Sequence, residues 1–310
     1  MRLEAGDQYR TAACLALALA LLTTTGCSIK KFAINKLGDS LANSGTTFAA
    51  DDDLELIGQA LPFSLKLVEG LLAESPKHGG LLFAAASGFT EYAYAYVQQD
   101  ADIVEPEDLG KAMVLRARAR RLYLRVRDYG LRGLDARYRG LSQELARDPK
   151  MAVRVAKVAD VPFLYWTAAA WASAIAVSKD NPDLIADQRI VEALIDRAFR
   201  LDPDFDSGAI HGFLIAYEPA RQGATGDPLE RARAHFDREV ELTDGQLASP
   251  FVSLAETVSV QNQDRAEFES LLKRALAIDP DARPEWRLQN LIVQRRARWL
   301  LAREDDLFAN

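Results

Sequence analysis

Arg197-Ala198-Phe199-Arg200-Leu201-Asp202-Pro203 and Arg274-Ala275-Leu276-Ala277-Ile278-Asp279-Pro280 are the same sentence written twice, 77 positions apart. In each, a basic residue and apolar side chains at helical spacing run into Asp-Pro. Proline lacks the N–H that a helix interior needs, so it stops the first helix, and the aspartate before it can cap the next. Between them lies Glu239-Val240-Glu241-Leu242-Thr243-Asp244-Gly245, another helix end, and weaker stops stand at Glu74-Ser75-Pro76 and Arg147-Asp148-Pro149. The separation equals two units of a ~34–40-residue helix-turn-helix repeat.

Working outward, apolar residues recur at three- and four-residue intervals over 53–75, 79–99, 107–130, 160–179, 184–202, 227–242, 265–278 and 284–301. Strand-like alternation is scarce. The fold class this predicts is all-α, an α-solenoid of tetratricopeptide-like helix-turn-helix repeats; two neighbouring helical domains are the alternative. Stacked helix pairs bury a continuous core and leave a concave surface for binding. Asp51, Asp52 and Asp53 supply capping oxygens to the first long helix, and their spacing lacks the ligand pattern of a calcium loop. Asp227-Pro228 opens another helix in the same way. Pro62 falls inside a helical pattern and is expected to break or kink it.

The N-terminus carries a different signal. Arg2 and Arg10 precede an apolar run from Ala12 to Leu22, about the length of a secretion-signal core and shorter than a membrane span. Then comes Leu21-Leu22-Thr23-Thr24-Thr25-Gly26-Cys27-Ser28, in which a small residue stands before the cysteine as at the end of a lipobox. The expected organisation is a lipoprotein-type signal peptide over 1–26, a lipidated tether over 27–50 and a helical repeat domain over 51–310. Diacylglycerol on Cys27 plus an amide-linked chain gives stable anchoring where one chain does not. Ser28 suits delivery to the outer membrane. Cys14 and Cys27 are the only cysteines, so the body has no thiol for a disulfide or metal site.

Little in the chain points to chemistry. A net charge of -7 argues against nucleic acid, whose phosphates require a basic surface. His78, His211 and His235 are far apart without metal-ligand spacing, and no glycine-rich phosphate loop or nucleophile elbow occurs. No catalytic residue, metal or cofactor is expected; carboxylates are plentiful, but no spacing among them singles out a hydrolase pair. Arg116, Arg118, Arg120, Arg121, Arg125 and Arg127 spread around a helix and read first as a solvated face, second as an anion-binding patch. Aromatic residues concentrate in two segments. Phe89, Tyr92 and Tyr96 share one helix face while Tyr94 points elsewhere, and Tyr165, Trp166 and Trp171 alternate with alanines. Such stripes are usually core, and the alternative is the lining of an apolar but partly wet pocket.

The stretches LPFSLKLVEGLLAESP, GFTEYAYAYVQQDAD, RARRLYLRVRDYGLRGL, DVPFLYWTAAAWASAIAVSKDNPDLIAD and LDPDFDSGAIHGFLIAYEPARQG resemble, in the same order, the TatT family of T-component lipoproteins of tripartite ATP-independent periplasmic (TRAP) transporters. The resemblance implies a periplasmic lipoprotein that assembles as a homotrimer and engages the transporter's solute-binding protein. It also implies an apolar small molecule in an internal pore, and no catalysis. A general repeat scaffold for envelope assemblies is the competing reading.

Overall fold

The computed structural model describes Lys36, Gly38 and residues 45–309 except 222, and among these residues every regular element is a helix. The signal segment, Cys27 and most of the tether lie outside the described residues. The end of the expected tether forms a short helix, α1 (Gly45–Ala49). Asp53 then accepts the Leu56 N–H at 2.9 Å and starts α2 (Leu54–Glu74), as the aspartate run predicts. Of the expected break or kink at Pro62, the break does not occur, since α2 runs through it. Ile57 before it and Leu65, Val68 and Leu72 after it are all buried, so packing on both sides of the proline supports the helix through it.

Next, α3 (Gly79–Ala93) passes through a π turn at Tyr94–Gln98 into α4 (Gln99–Val104). The chain continues through α5 (Leu109–Arg137), α6 (Leu141–Arg147), α7 (Pro149–Ala152), α8 (Val161–Ala176), α9 (Pro182–Ala186), α10 (Gln188–Leu201), α11 (Phe205–Tyr217) and α12 (Pro228–Leu242). A second π turn, Ala255–Ser259, follows α13 (Ser249–Leu254), and α14 (Arg265–Ala277), α15 (Arg287–Ala302) and α16 (Glu304–Leu307) complete the fold.

The repeated motif marks the ends of alternate helices: α10 stops at Leu201, α12 at Leu242 and α14 at Ala277. After α12, Gly245 takes a left-handed φ of 64° and donates its N–H to the Val240 carbonyl at 2.9 Å, a glycine exit from a helix. Helices pack on their neighbours in the chain, α2 on α3, α3 on α5, α5 on α8, α8 on α10, α11 on α12 and α14 on α15. One buried cluster runs from Leu65 to Leu214 and a second from Ile215 to Phe308. The α5–α8 seam is the tightest. A Cβ on Gly133 would stand 2.2 Å from Phe163 Cε1, and one on Gly130 would stand 1.9 Å from Thr167 Oγ1.

At its end the array turns back on its beginning. α15 packs against α1 and α2, and three of its arginines reach across. Arg287 donates to the Ala50 carbonyl at 3.0 Å, Arg295 to the Ala95 carbonyl and to Gln99 Oε1 at 3.2 Å, and Arg296 to Asp102 Oδ2 at 3.0 Å and to Glu256. Ala95 lies in the first π turn and Glu256 in the second. The two irregular turns are therefore joined by adjacent residues of one helix.

Candidate binding recess

Several side chains meet solvent yet have lost most of their hydration. Glu91 on α3 is exposed, but desolvation, helped by the negative charge of Asp206, pushes its pKa up to about 7. Tyr94, one helical turn further on, is 38% exposed and pushed up to about 12, by desolvation first and the Glu256 charge second. Asp206 is exposed and raised by desolvation as well. Desolvation is the first cause at all three, which marks the surface between α3 and α11 as the candidate recess.

Helix order explains how they meet. Glu91 and Tyr94 come from α3 and its π turn, Tyr165 and Trp166 from the first half of α8, and Phe205 and Asp206 from the start of α11. Tyr165 stands edge-on to Trp166 at 5.1 Å and tilted against Phe205 at 5.6 Å between ring centroids. Its hydroxyl is raised by desolvation and then by the charges of Asp206, Glu239 and Glu91. Asp206 and Ser207 have φ of 49° and 55°, and Gly208 continues at 99°. Left-handed backbone costs a side-chain-bearing residue about 1–2 kcal/mol, so the fold holds Asp206 in place against its local preference.

Behind this strained start, α11 and α12 enclose polar groups. Glu239 is 2% exposed, and desolvation pushes its pKa up to about 8. Ser249 reaches it only at 3.5 Å, and its Oε2 has no hydrogen-bond partner. Gly212 makes room for the carboxylate, since a Cβ there would lie 2.8 Å from Oε1. One turn before Glu239, His235 meets His211 with their Nδ1 atoms 2.9 Å apart, and Phe199 turns its edge to both rings. Burial lowers both imidazoles, His235 to about 4. Spacing kept these histidines apart, and helix pairing brings them together. Among the described residues no group of three or more His, Cys, Asp or Glu side chains is placed to hold a metal ion.

The six aromatics singled out in the sequence separate into three settings. Phe89, Tyr92 and Trp171 are buried in the core. Phe89 stacks on Tyr129, Tyr92 accepts from Arg118 at 2.9 Å, and Trp171 donates its indole N–H to Asp187 at 3.2 Å. Tyr96 stacks on Tyr92 at 5.8 Å and fills the space that Gly58 leaves on α2, beneath the Arg295 guanidinium. Tyr165 and Trp166 remain half-buried beside the recess acids. Sequence reasoning missed Glu91, Tyr94, Phe205, Asp206, Glu256 and Arg296. The one available hint was that Tyr94 points away from the face shared by Phe89, Tyr92 and Tyr96. The arginines of α5 find separate partners around the helix, Arg116 on Asp102 and Glu105, Arg118 on Tyr92, Arg125 on Glu69 and Arg127 over Trp171.

Comparison with known proteins identifies the family of the chain. An uncharacterized protein of Treponema pallidum (strain Nichols) is 31% identical over 314 residues, covering 95% of this chain and 97% of the relative. The profile of the TRAP transporter T-component family matches residues 50–308, from just after α1 to just past α16. The chain therefore belongs to the TRAP transporter T-component family.

Proposed function

We propose that this protein is the membrane-anchored accessory binding component of a TRAP-type solute transport system. In this reading the chain is exported, Cys27 carries the lipid anchor, and the helical body faces the periplasm from the outer membrane. It assembles as a homotrimer, engages the solute-binding protein, and holds an apolar ligand in the recess, where Tyr94, Tyr165, Trp166 and Phe205 supply rings. The observation that supports the reading is the group of half-buried rings at the starts of α8 and α11, where Tyr165 stands edge-on to Trp166 and tilted against Phe205. Partner contact has its own support. α2 exposes Leu56, Phe63 at 74% and Leu67 along one side, and α5 exposes Leu109, Met113 and Val114. Apolar side chains grouped in this way mark association surfaces more often than open solvent.

The test is recovery of partners from envelope extract with the body from residue 30 onward as bait. A TRAP solute-binding protein in the eluate is the expected result. Recovery of outer-membrane assembly factors without it would favour the general scaffold. Native mass spectrometry of the same material should show a trimer, with a stoichiometric added mass where a ligand is retained.

A further inference from the structure

The arginines of α5 divide into two rows. This one helix carries nine basic and two acidic side chains in a chain whose net charge is -7. At about 3.6 residues per turn, Arg118, Arg121, Arg125 and Arg132 fall on one side of it, and Arg116, Arg120 and Arg127 on another. In the second row Arg116 pairs with Asp102 and Glu105, and Arg127 pairs with Asp128 and lies over Trp171. The first row is mounted on rings instead. Arg118 stands 5.7 Å from the Tyr92 ring centre, Arg125 5.3 Å from that of Phe89 and Arg132 5.3 Å from that of Tyr129. Uncharged oxygens fix the two ends, the Tyr92 hydroxyl at 2.9 Å from Arg118 and the Pro76 carbonyl at 3.0 Å from Arg132. Acids close by already hold a cation each. Glu69 has Lys66 at 2.5 Å and meets Arg125 only at 3.4 Å, and Asp128 has Arg127 at 3.0 Å. Arg121 is exposed and makes no ion pair among the described residues. Arg121, Arg125 and Arg132, with Leu124, Asp128 and Tyr129, line a groove of about 420 Å³.

We propose that this row is the docking site for an acidic helix of a partner protein, whose carboxylates meet the guanidinium groups along the groove. A guanidinium laid over a ring is held in place and weakly hydrated, and its planar fork matches a carboxylate with two parallel hydrogen bonds. The period of the row favours a helix as the occupant. Arg118, Arg125 and Arg132 are seven residues apart, about 10.5 Å per step along the axis, and a second helix lying alongside repeats its own side chains at that interval. Val114, one turn before Arg118 on the same side and 68% exposed, gives the row an apolar end. The chain's own tether does not suit the site, since residues 27–50 carry Lys30, Lys31 and Lys36 against a single acid, Asp39. The proposal rests on the reading that the body engages a partner protein, and it adds the place of contact and the charge of the partner's surface.

Two synthetic helical peptides of one composition test it, titrated into the intact protein by fluorescence anisotropy at low salt. One carries its glutamates on a single face at three- and four-residue intervals, and the other carries the same glutamates scattered around the helix. The single-face peptide is expected to bind at least tenfold tighter. Arg121→Glu should abolish that advantage, whereas Arg200→Glu, an exposed charge reversal on α10, should leave it. In capture from envelope extract, Arg121→Glu should also lower recovery of the solute-binding protein at least fivefold. Equal binding of the two peptides to the unaltered protein overturns the proposal, and that comparison stands even where a variant fails to fold. Recovery unchanged by Arg121→Glu overturns the docking site while leaving the partner reading intact, and recovery of no partner by the unaltered protein removes both. Binding to phosphatidylglycerol vesicles through Arg121, with neither peptide bound, overturns it in favour of a membrane contact. A change of oligomeric state in Arg121→Glu, read by native mass spectrometry, overturns it in favour of a contact between copies of this chain.

Discussion

His211 and His235 share one proton-sized gap: their Nδ1 atoms stand 2.9 Å apart between α11 and α12, so one must be the donor and the other the acceptor. Two imidazolium rings cannot occupy that geometry. Both pKa values lie below the ordinary histidine value, by burial first, with the neighbouring imidazole as the second cause for His235. A depressed histidine contributes stability that is complete above the unfolded pKa, near 6.5, and is lost as pH falls toward the folded value, about 4 for His235. Urea denaturation of the protein and of His235→Gln at pH 7 and pH 4.5 should show the variant gaining on the unaltered protein by on the order of 2 kcal/mol as pH falls. An unchanged difference between the two proteins would assign the acid sensitivity to other groups.

Glu239 works in the opposite direction. Its folded pKa, about 8, lies above the unfolded value, so the buried carboxyl favours the folded state below pH 4.5 and opposes it increasingly as pH rises toward 8. Glu239→Gln keeps the shape and removes the titration. It should raise stability at pH 8 by on the order of 3 kcal/mol and change little at pH 4. The pH dependence of the melting temperature tests this, and parallel curves for the two proteins would count against a neutral, desolvated carboxyl.

Gly130 and Gly133 set the separation of α5 and α8. Their missing Cβ atoms would overlap Thr167 and Phe163, which are themselves buried in the core. Ala is the better helix former by about 1 kcal/mol, yet the steric term wins here because neither neighbour has open space to enter. Gly133→Ala should lower stability by about 2 kcal/mol or more, whereas Gly70→Ala, where a Cβ would meet nothing within 4 Å, should be neutral or mildly stabilising. Denaturant midpoints of the two variants make the comparison.

Local punctuation made most of the fold legible. Asp53 as a cap and the stops at Asp202, Asp148 and Gly245 act within a few residues, so composition alone could reveal them. α11 and α13 escaped because they lack a polar stripe: Ile210, Leu214 and Ile215 in one, Phe251, Val252 and Leu254 in the other, are buried on more than one side. Pro62 does not end its helix because burial on both sides of it outweighs the one lost backbone hydrogen bond. The recess was less legible still. Glu91 and Asp206 approach only because α3 and α11 converge beside α8, and Arg296 meets Asp102 only because the last long helix folds back. Neither relation leaves a mark in spacing.

Cys27 lies outside the described residues, and its role rests on the sequence that precedes it. Cys27→Ser removes the thiol that would carry diacylglycerol. The variant should move from the membrane fraction to the soluble periplasmic fraction, with intact-mass analysis of the unaltered protein showing the added acyl chains. Retention of the variant in membranes with its leader uncut would assign anchoring to the apolar run Ala12 to Leu22 instead.

Arg296 is the place where closure of the array can be weakened without touching the core. It joins Asp102 in α4 to Glu256 in the second π turn, and its guanidinium lies 4.2 Å from the Trp299 ring centre. Removing it leaves partly buried carboxylates facing one another, although Asp102 retains Arg116 at 3.2 Å. Breaking one side of such a network costs about 3 kcal/mol. The expected effect of Arg296→Ala is that loss together with faster amide hydrogen exchange confined to residues 94–104, 255–261 and α15. Arg296→Lys should fall between, since an ammonium keeps the charge and gives up the planar fork that serves two acids. Because the Arg296 charge lowers the Tyr94 phenol while desolvation raises it, loss of the guanidinium alone should push that pKa further up and an opening of the closure should bring it down from about 12 toward 10, which ultraviolet titration distinguishes directly. A phenol pushed further up in Arg296→Ala would mean that the return of α15 holds without this ion pair.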